Sequence, residues 1–249
     1  MMNTTEHQLN DLGLRGMARA LVLQRDNPAA LQLGFEERLG MMLDAEVAER
    51  DSRRIERLLK AAKLRFGQAS LEDVDFRPGR KLDRQLLMSL ADCAWIQRRN
   101  NLILTGATGT GKSWLACALG NQACRAGMMI YYTTSTKLFE DLSIAMGDGS
   151  LPKLRRQLIK LELLIIDDVG IGGIDVALGP TLLEIIDLQS VNGSLLLTSQ
   201  FPPDRWYDLF NDPTVADAIL DRVVHRAHRL ELHGESMRKL RGTATEANV

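Results

Sequence analysis

The spacing of apolar residues changes along the chain, and the change divides it in two. Up to residue 66 the pattern is helical throughout. Asn3–Leu23 predicts one or two short helices, with a break near Asn27-Pro28. Phe35–Leu64 carries Leu39, Leu43, Val47, Ile55, Leu58, Leu59 and Ala62 as its main apolar positions, which predicts one long helix. Residues 67–80, GQASLEDVDFRPGR, hold turn formers and read as a linker. From residue 81 short apolar runs alternate with helical stretches. Helices are expected at Leu82–Gln97, from Trp114 to about Arg125, at 136–146, at 152–161 and at Pro180–Val191. Strands are expected at Asn101–Thr105, Met128–Thr133, Leu163–Ile166 and Ser194–Thr198. This rhythm predicts an α/β fold, a mostly parallel sheet covered by helices on both faces. The expected domains are a helical one at 1–66, the linker at 67–80 and an α/β domain at 81–241, with 242–249 a loose tail.

One loop in that second part carries specific chemistry. Gly106–Ser113 reads GATGTGKS and fits G-x-x-x-x-G-K-[ST] at every fixed position. It follows an expected strand and opens an expected helix, which is the arrangement the chemistry needs. Glycines let successive backbone N–H groups turn toward a polyphosphate, and a helix N-terminus adds unpaired donors. The candidate nucleotide-binding residues are Gly106, Ala107, Thr108, Gly109, Thr110, Gly111, Lys112, Ser113 and Trp114. Lys112 would reach the β- and γ-phosphates of ATP, and the Ser113 hydroxyl would ligate Mg²⁺.

Leu163-Leu164-Ile165-Ile166-Asp167-Asp168 supplies the second half of such a site. A buried strand delivers a carboxylate to the sheet edge where ligands bind. Asp167 would hold Mg²⁺, mainly through water, and Asp168 would polarise an attacking water. The polar triplet Thr198-Ser199-Gln200 ends another apolar strand and is placed to sense a γ-phosphate.

Composition adds bounds. The 249 residues are 45% hydrophobic, enough for one α/β domain and a smaller appendage. No apolar run reaches the length of a membrane span, and the N-terminus lacks a signal-peptide profile, so a cytoplasmic protein is expected. Cys93, Cys117 and Cys124 form no metal-ligand pattern; Cys117 and Cys124 read as core packing. His7, His225, His228 and His233 read as packing or surface residues. The net charge of −1 gives no bulk signal for nucleic acid, but the basic residues are clustered. Arg50, Arg53, Arg57 and Lys60 share one face of the long helix, either as a phosphate-binding stripe or as a solvated outer face. Arg77, Arg80, Lys81 and Arg84 would serve DNA or domain-junction ion pairs.

Together GATGTGKS, LLIIDD, LLLTSQ, the segment Asp217–Arg222 (DAILDR) and Gly234–Arg238 (GESMR) resemble the IstB-type AAA+ ATPases. These are helpers of insertion-sequence transposition, similar to the DnaC helicase loader and the DnaA initiator. The resemblance covers roughly residues 5–240. It implies a P-loop NTPase AAA+ core with a small all-helical N-terminal domain for subunit, DNA or partner contacts, and no full C-terminal lid. It makes Arg222 the arginine finger that enters a neighbouring subunit's ATP site; an ion pair with Asp221 or Asp217 on its own helix is the alternative. Gln200 matches the sensor position, where relatives have Asn or Asp. Arg238 resembles the second sensor arginine. Asp168 replaces the commoner Glu, and the shorter carboxylate would fit slow, switch-like turnover. The helical pair at 136–161 resembles an insertion that faces the oligomer axis and touches DNA, which makes Lys153, Arg155, Arg156 and Lys160 DNA candidates.

The resemblance implies an ATPase that oligomerises with ATP and Mg²⁺ at its subunit interfaces. It would grip double-stranded DNA by the backbone with little sequence preference and recruit a cognate transposase. A helicase loader of the DnaC kind, or a nucleotide-gated DNA-binding scaffold with little hydrolysis, are the other readings.

Overall fold

Of the strands in this computed structural model, four come from the expected apolar runs: β1 (Asn101–Gly106), β2 (Ile130–Thr134), β3 (Leu163–Val169) and β4 (Ser194–Ser199). A further strand, β5 (Ala227–Leu232), joins them. The structure describes residues 4–171, 176–210 and 212–237. All strand pairs are parallel, in the order β2-β3-β4-β1-β5. Every strand therefore ends at the same edge.

The helices in chain order are α1 (Thr4–Asp11), α2 (Arg15–Arg25), α3 (Pro28–Leu31), α4 (Phe35–Ala62), α5 (Arg84–Ala91) and α6 (Ala94–Gln97). They continue with α7 (Lys112–Arg125), α8 (Ser135–Gly147), α9 (Leu151–Leu158), α10 (Gly179–Asn192) and α11 (Pro213–Val224). The single helix expected at Leu82–Gln97 is two. Asp92 ends the first, and Cys93 takes φ +60°, a left-handed step that re-aims the chain. Among the described residues, no helix is long and apolar enough to cross a membrane.

Side chains along the central strands alternate between two apolar layers. Leu102, Leu104, Leu163, Ile165 and Leu196 face one; Ile103, Leu164, Ile166, Leu195 and Leu197 face the other. Each of these is at most 5% exposed, worth about 1.5–3 kcal/mol of apolar burial apiece. The first layer is closed by α5, α6 and α7, the second by α8–α11. Cys117 and Cys124 lie fully buried on α7, as core packing requires, and burial pushes both thiols up to about 11. Asn101 ties β1 to its neighbours: its amide donates to the carbonyls of Arg222 and Val223 at the end of α11, and its oxygen accepts from Leu195 N–H.

Two units emerge from the fold, Met1–Arg57 and Leu58–Val249, with the boundary inside α4. In the first unit Glu46, 5% exposed, accepts from the N–H groups of Gly16 and Met17 at 2.7 and 3.3 Å and pairs with Arg50. These contacts cap the N-terminus of α2 against α4. Gly16 has no room for a side chain, since a Cβ would overlap the backbone of Ala45 and Glu46. Desolvation raises the Glu46 pKa, but Arg50 and the two amides together outweigh it and leave the carboxyl below its ordinary range.

In the second unit the expected linker is part of the packing. Leu58, Leu59 and Phe66 lie against the first core layer, and Ala69, Leu71 and Val74 are buried in it. A one-turn 3₁₀ segment, Leu71–Asp73, is too short to show a period in the sequence. Asn121 on α7 holds this strap, donating through its amide to the carbonyls of Gly67 and Ala69, both at 3.1 Å. Replacing Asn121 with Ala should cost about 2 kcal/mol in urea unfolding, because two carbonyls lose their donor. Limited proteolysis should then cut first within residues 67–80.

Candidate functional site

The loop between β1 and α7 has the shape its sequence predicts. Gly106, Gly109 and Gly111 take φ of +142°, +85° and +94°. A Cβ on Gly106 would overlap the Leu232 carbonyl oxygen, and one on Gly109 the Ser236 side chain, so only glycine fits. Thr110 is buried, and its hydroxyl donates to the Ala107 carbonyl at 2.8 Å. Lys112 is 5% exposed, and its ammonium donates to the carbonyls of Gly106 at 2.7 Å and Ala107 at 2.9 Å. An ammonium has three donors, so one remains for an anion in the loop. Burial pushes the lysine pKa down, against the opposing pull of Asp168 and Asp167.

Two strands away in the sheet, Asp167 has no exposed surface. Tyr132 on β2 donates its hydroxyl to one carboxylate oxygen at 2.6 Å, and Thr198 on β4 donates to the other. Burial raises the Tyr132 pKa far above that of a free phenol, and the Asp167 carboxylate adds to the shift, so the hydroxyl keeps its proton. The β3–β4 register slips between Ile166 and Val169, which makes Asp167-Asp168 a bulge. Asp168 sits there at φ +59°. Asp and Asn tolerate this left-handed conformation better than longer side chains do, which gives a backbone reason for aspartate at this position. Asp168 N–H donates to the Thr198 hydroxyl at 3.0 Å, and its carbonyl accepts from Ser135 at 2.8 Å.

One cavity gathers most of the expected site. Thr108, Gly109, Gly111, Lys112, Ser113, Trp114, Asp168 and Gln200 line it. Phe66, Asp73, Asp75, Arg80 and Met237 line it too, and none of these was a nucleotide candidate from sequence. Arg80 donates to the Thr110 carbonyl at 2.6 Å and to the Asp75 carbonyl at 3.3 Å. It braces the loop from the strap side, and it explains part of the basic run at residues 77–84. Met237 N–H donates to the Gly109 carbonyl at 2.9 Å, so the GESM segment also lies against the loop, beside Arg80. The only available sequence signal for this contact was the segment itself, with no partner indicated.

Other candidates lie elsewhere. Arg222 lines a separate surface groove with Asp217, Asp221 and His225. Its ion-pair partner is neither Asp221 nor Asp217 of its own helix, as the alternative had it: the guanidinium pairs with Asp187 on α10 and also donates to the Ala218 carbonyl one turn back on α11. Arg238 lies outside the described residues. Of the cluster on and after α9, Lys153, Arg156 and Lys160 are exposed, whereas Arg155 is tied to Glu184 on α10. Along α4, Arg50 and Arg53 pair with Glu46 and Glu49, while Arg57 and Lys60 are exposed.

The donor set fits a nucleoside triphosphate with Mg²⁺. Three positive-φ glycines form a cradle, Lys112 and Ser113 line the cavity there, and Ser113 and the buried Asp167 carboxylate would supply hard oxygens. Mg²⁺ keeps several waters and takes few protein oxygens, so it needs no cluster of three acids or histidines; none occurs among the described residues. A family model described as IstB-like ATP binding protein matches residues 7–244. The chain belongs to this family. Among IstB-like relatives, the IS1162 insertion-sequence ATP-binding protein of Pseudomonas fluorescens is 50% identical over 202 residues, 81% of this chain and 87% of that protein. The insertion-sequence ATP-binding protein y4uH of Sinorhizobium fredii is 44% identical over 98% of each chain. Among solved structures, that of DnaI aligns with a TM-score of 0.57 at 20% identity, covering 71% of this chain and 93% of that one. That likeness concerns the fold, the AAA+ form of the P-loop NTPase core.

In this IstB-like protein the Arg80 brace is open to test. Arg80→Ala should weaken binding of a fluorescent ADP analogue about tenfold, with little change in melting temperature. Arg80→Lys should recover little of the loss, since one ammonium does not span both carbonyls as the guanidinium fork does.

Proposed function

We propose that the protein is a Mg²⁺-dependent ATPase that oligomerises on duplex DNA and recruits a transposase to it. One observation carries this reading. Lys112, Asp168 and Gln200 share a cavity, while Arg222 stands on a different surface of the same subunit. In this reading the site is half of one, and a second copy would bring the other half.

In the assembled site Lys112 would bind the β- and γ-phosphates, and Ser113 and Asp167 would hold Mg²⁺. The metal supplies charge neutralisation on the phosphate oxygens. Asp168 orients the attacking water, Gln200 reads the γ-phosphate, and a neighbour's Arg222 stabilises charge on the transferring group. An arginine of this kind is worth about 10³–10⁵ in rate. ATP then controls assembly, because it lies between subunits. The relatives' names support the setting: they are insertion-sequence ATP-binding proteins. For DNA, the exposed Lys153, Arg156 and Lys160 form the better backbone-binding set, and Arg155 serves to hold α9 on α10.

Two experiments check this. Lys112→Ala and Arg222→Ala should each abolish hydrolysis alone, yet a mixture of the two should regain part of it, since some interfaces then pair an intact loop with an intact arginine. If the mixture stays inactive while each variant still oligomerises, the shared site is wrong. Charge removal at Lys153 and Arg156 together should weaken binding to unrelated duplexes alike. It should also flatten the log–log salt dependence by about one unit per residue.

A further inference from the structure

The three residues that meet at Asp167 come from three adjacent strands. Tyr132 is on β2, Asp167 on β3 and Thr198 on β4, and the sheet order places these side by side. Thr134 pairs in register with Asp167, so Tyr132, two residues earlier, projects from the same sheet face. Tyr132 is 7% exposed, Thr198 and Asp167 not at all. No phosphate-loop or acidic-strand motif includes Tyr132, and the sequence offered it only as an aromatic in a strand.

A carboxylate's terminal torsion is soft, with no sharp rotamer to hold it. At Asp167 the hold comes from outside. Each oxygen accepts one hydroxyl, from Tyr132 at 2.6 Å and from Thr198 on the other side. Each oxygen has about two lone-pair sites, so one on each remains for water or a metal. Thr198 does a second job: its oxygen accepts Asp168 N–H at 3.0 Å. The same hydroxyl therefore fixes the orientation of one acid and the backbone of the next.

We infer that Tyr132 is a positioning residue for the metal, and that with Thr198 it sets the Mg²⁺ affinity of the nucleotide site by locking the Asp167 carboxylate. Outer hydrogen bonds of this kind typically change metal affinity by about 10–100-fold. The inference rests on the Mg²⁺-nucleotide reading above and adds to it the residue that tunes the metal.

The test is Tyr132→Phe, which removes the hydroxyl and keeps the ring in the core. The readout is binding of a fluorescent ATP analogue at increasing Mg²⁺, without turnover, beside the same titration in EDTA. The half-saturating Mg²⁺ should rise about tenfold or more, and affinity in EDTA should stay at the wild-type value. An unchanged Mg²⁺ curve, or an equal loss with and without Mg²⁺, overturns the inference; the second result would mark Tyr132 as structural only. If Tyr132→Phe does not fold, Thr198 decides. Thr198→Val should raise the Mg²⁺ requirement and Thr198→Ser should keep it, so identical behaviour of the two overturns the inference. A wild type whose nucleotide binding ignores Mg²⁺ would defeat the functional reading itself. A Mg²⁺-dependent wild type matched by its variant defeats only the inference.

Discussion

A parallel sheet buried on both faces has only its strand ends to offer a ligand, and this constraint organises the protein. The central strands spend their side chains on two apolar layers, so chemistry is confined to the edge where β1, β3 and β4 stop. Each stop is irregular for a reason. After β1 the chain needs three positive-φ glycines to curl around an anion. At the end of β3 it bulges, so that one acid turns into the sheet and the next turns toward the cavity. At the end of β4 the Thr198 hydroxyl fills the gap the bulge opens.

Burial makes the edge exacting. A carboxylate without exposed surface is costly unless it is hydrogen-bonded, and an ammonium at 5% exposure is subject to the same rule. Lys112 meets it with loop carbonyls and Asp167 with two hydroxyls. Both charges are therefore pre-oriented before any ligand arrives. The strap at 58–80 and the GESM segment complete the enclosure by bonding to loop carbonyls at Thr110 and Gly109.

Much of this was legible because it is local. The loop, its strand and its helix are consecutive, and the acidic strand ends in its own acids. What sequence hid was either short or distant. Residues 67–80 carry turn formers, yet Ala69, Leu71 and Val74 bury themselves; three apolar residues around a single 3₁₀ turn show no period. β5, AHRLEL, sits at the sheet edge, where exposed Arg229 and Glu231 dilute its apolar pattern. Tyr132 reaches an acid 35 residues on, and Arg222 pairs with an acid 35 residues back. Those partners follow from strand order and helix packing, which spacing along a chain does not encode.

The Arg222–Asp187 pair bears on how the halves of a shared site would meet. Within one subunit the guanidinium is already engaged, so serving a neighbour means giving up Asp187. The two side chains are 36% and 42% exposed. An ion pair that open to water is worth at most about 1 kcal/mol. A triphosphate in a dry interface would offer more charge and bidentate geometry, so in the proposed assembly the exchange would favour the phosphate. Asn101 keeps α11 in place throughout, because it binds the Arg222 and Val223 carbonyls and not the side chain. In the arrangement proposed above the helix would stay fixed, and only the guanidinium would change partner.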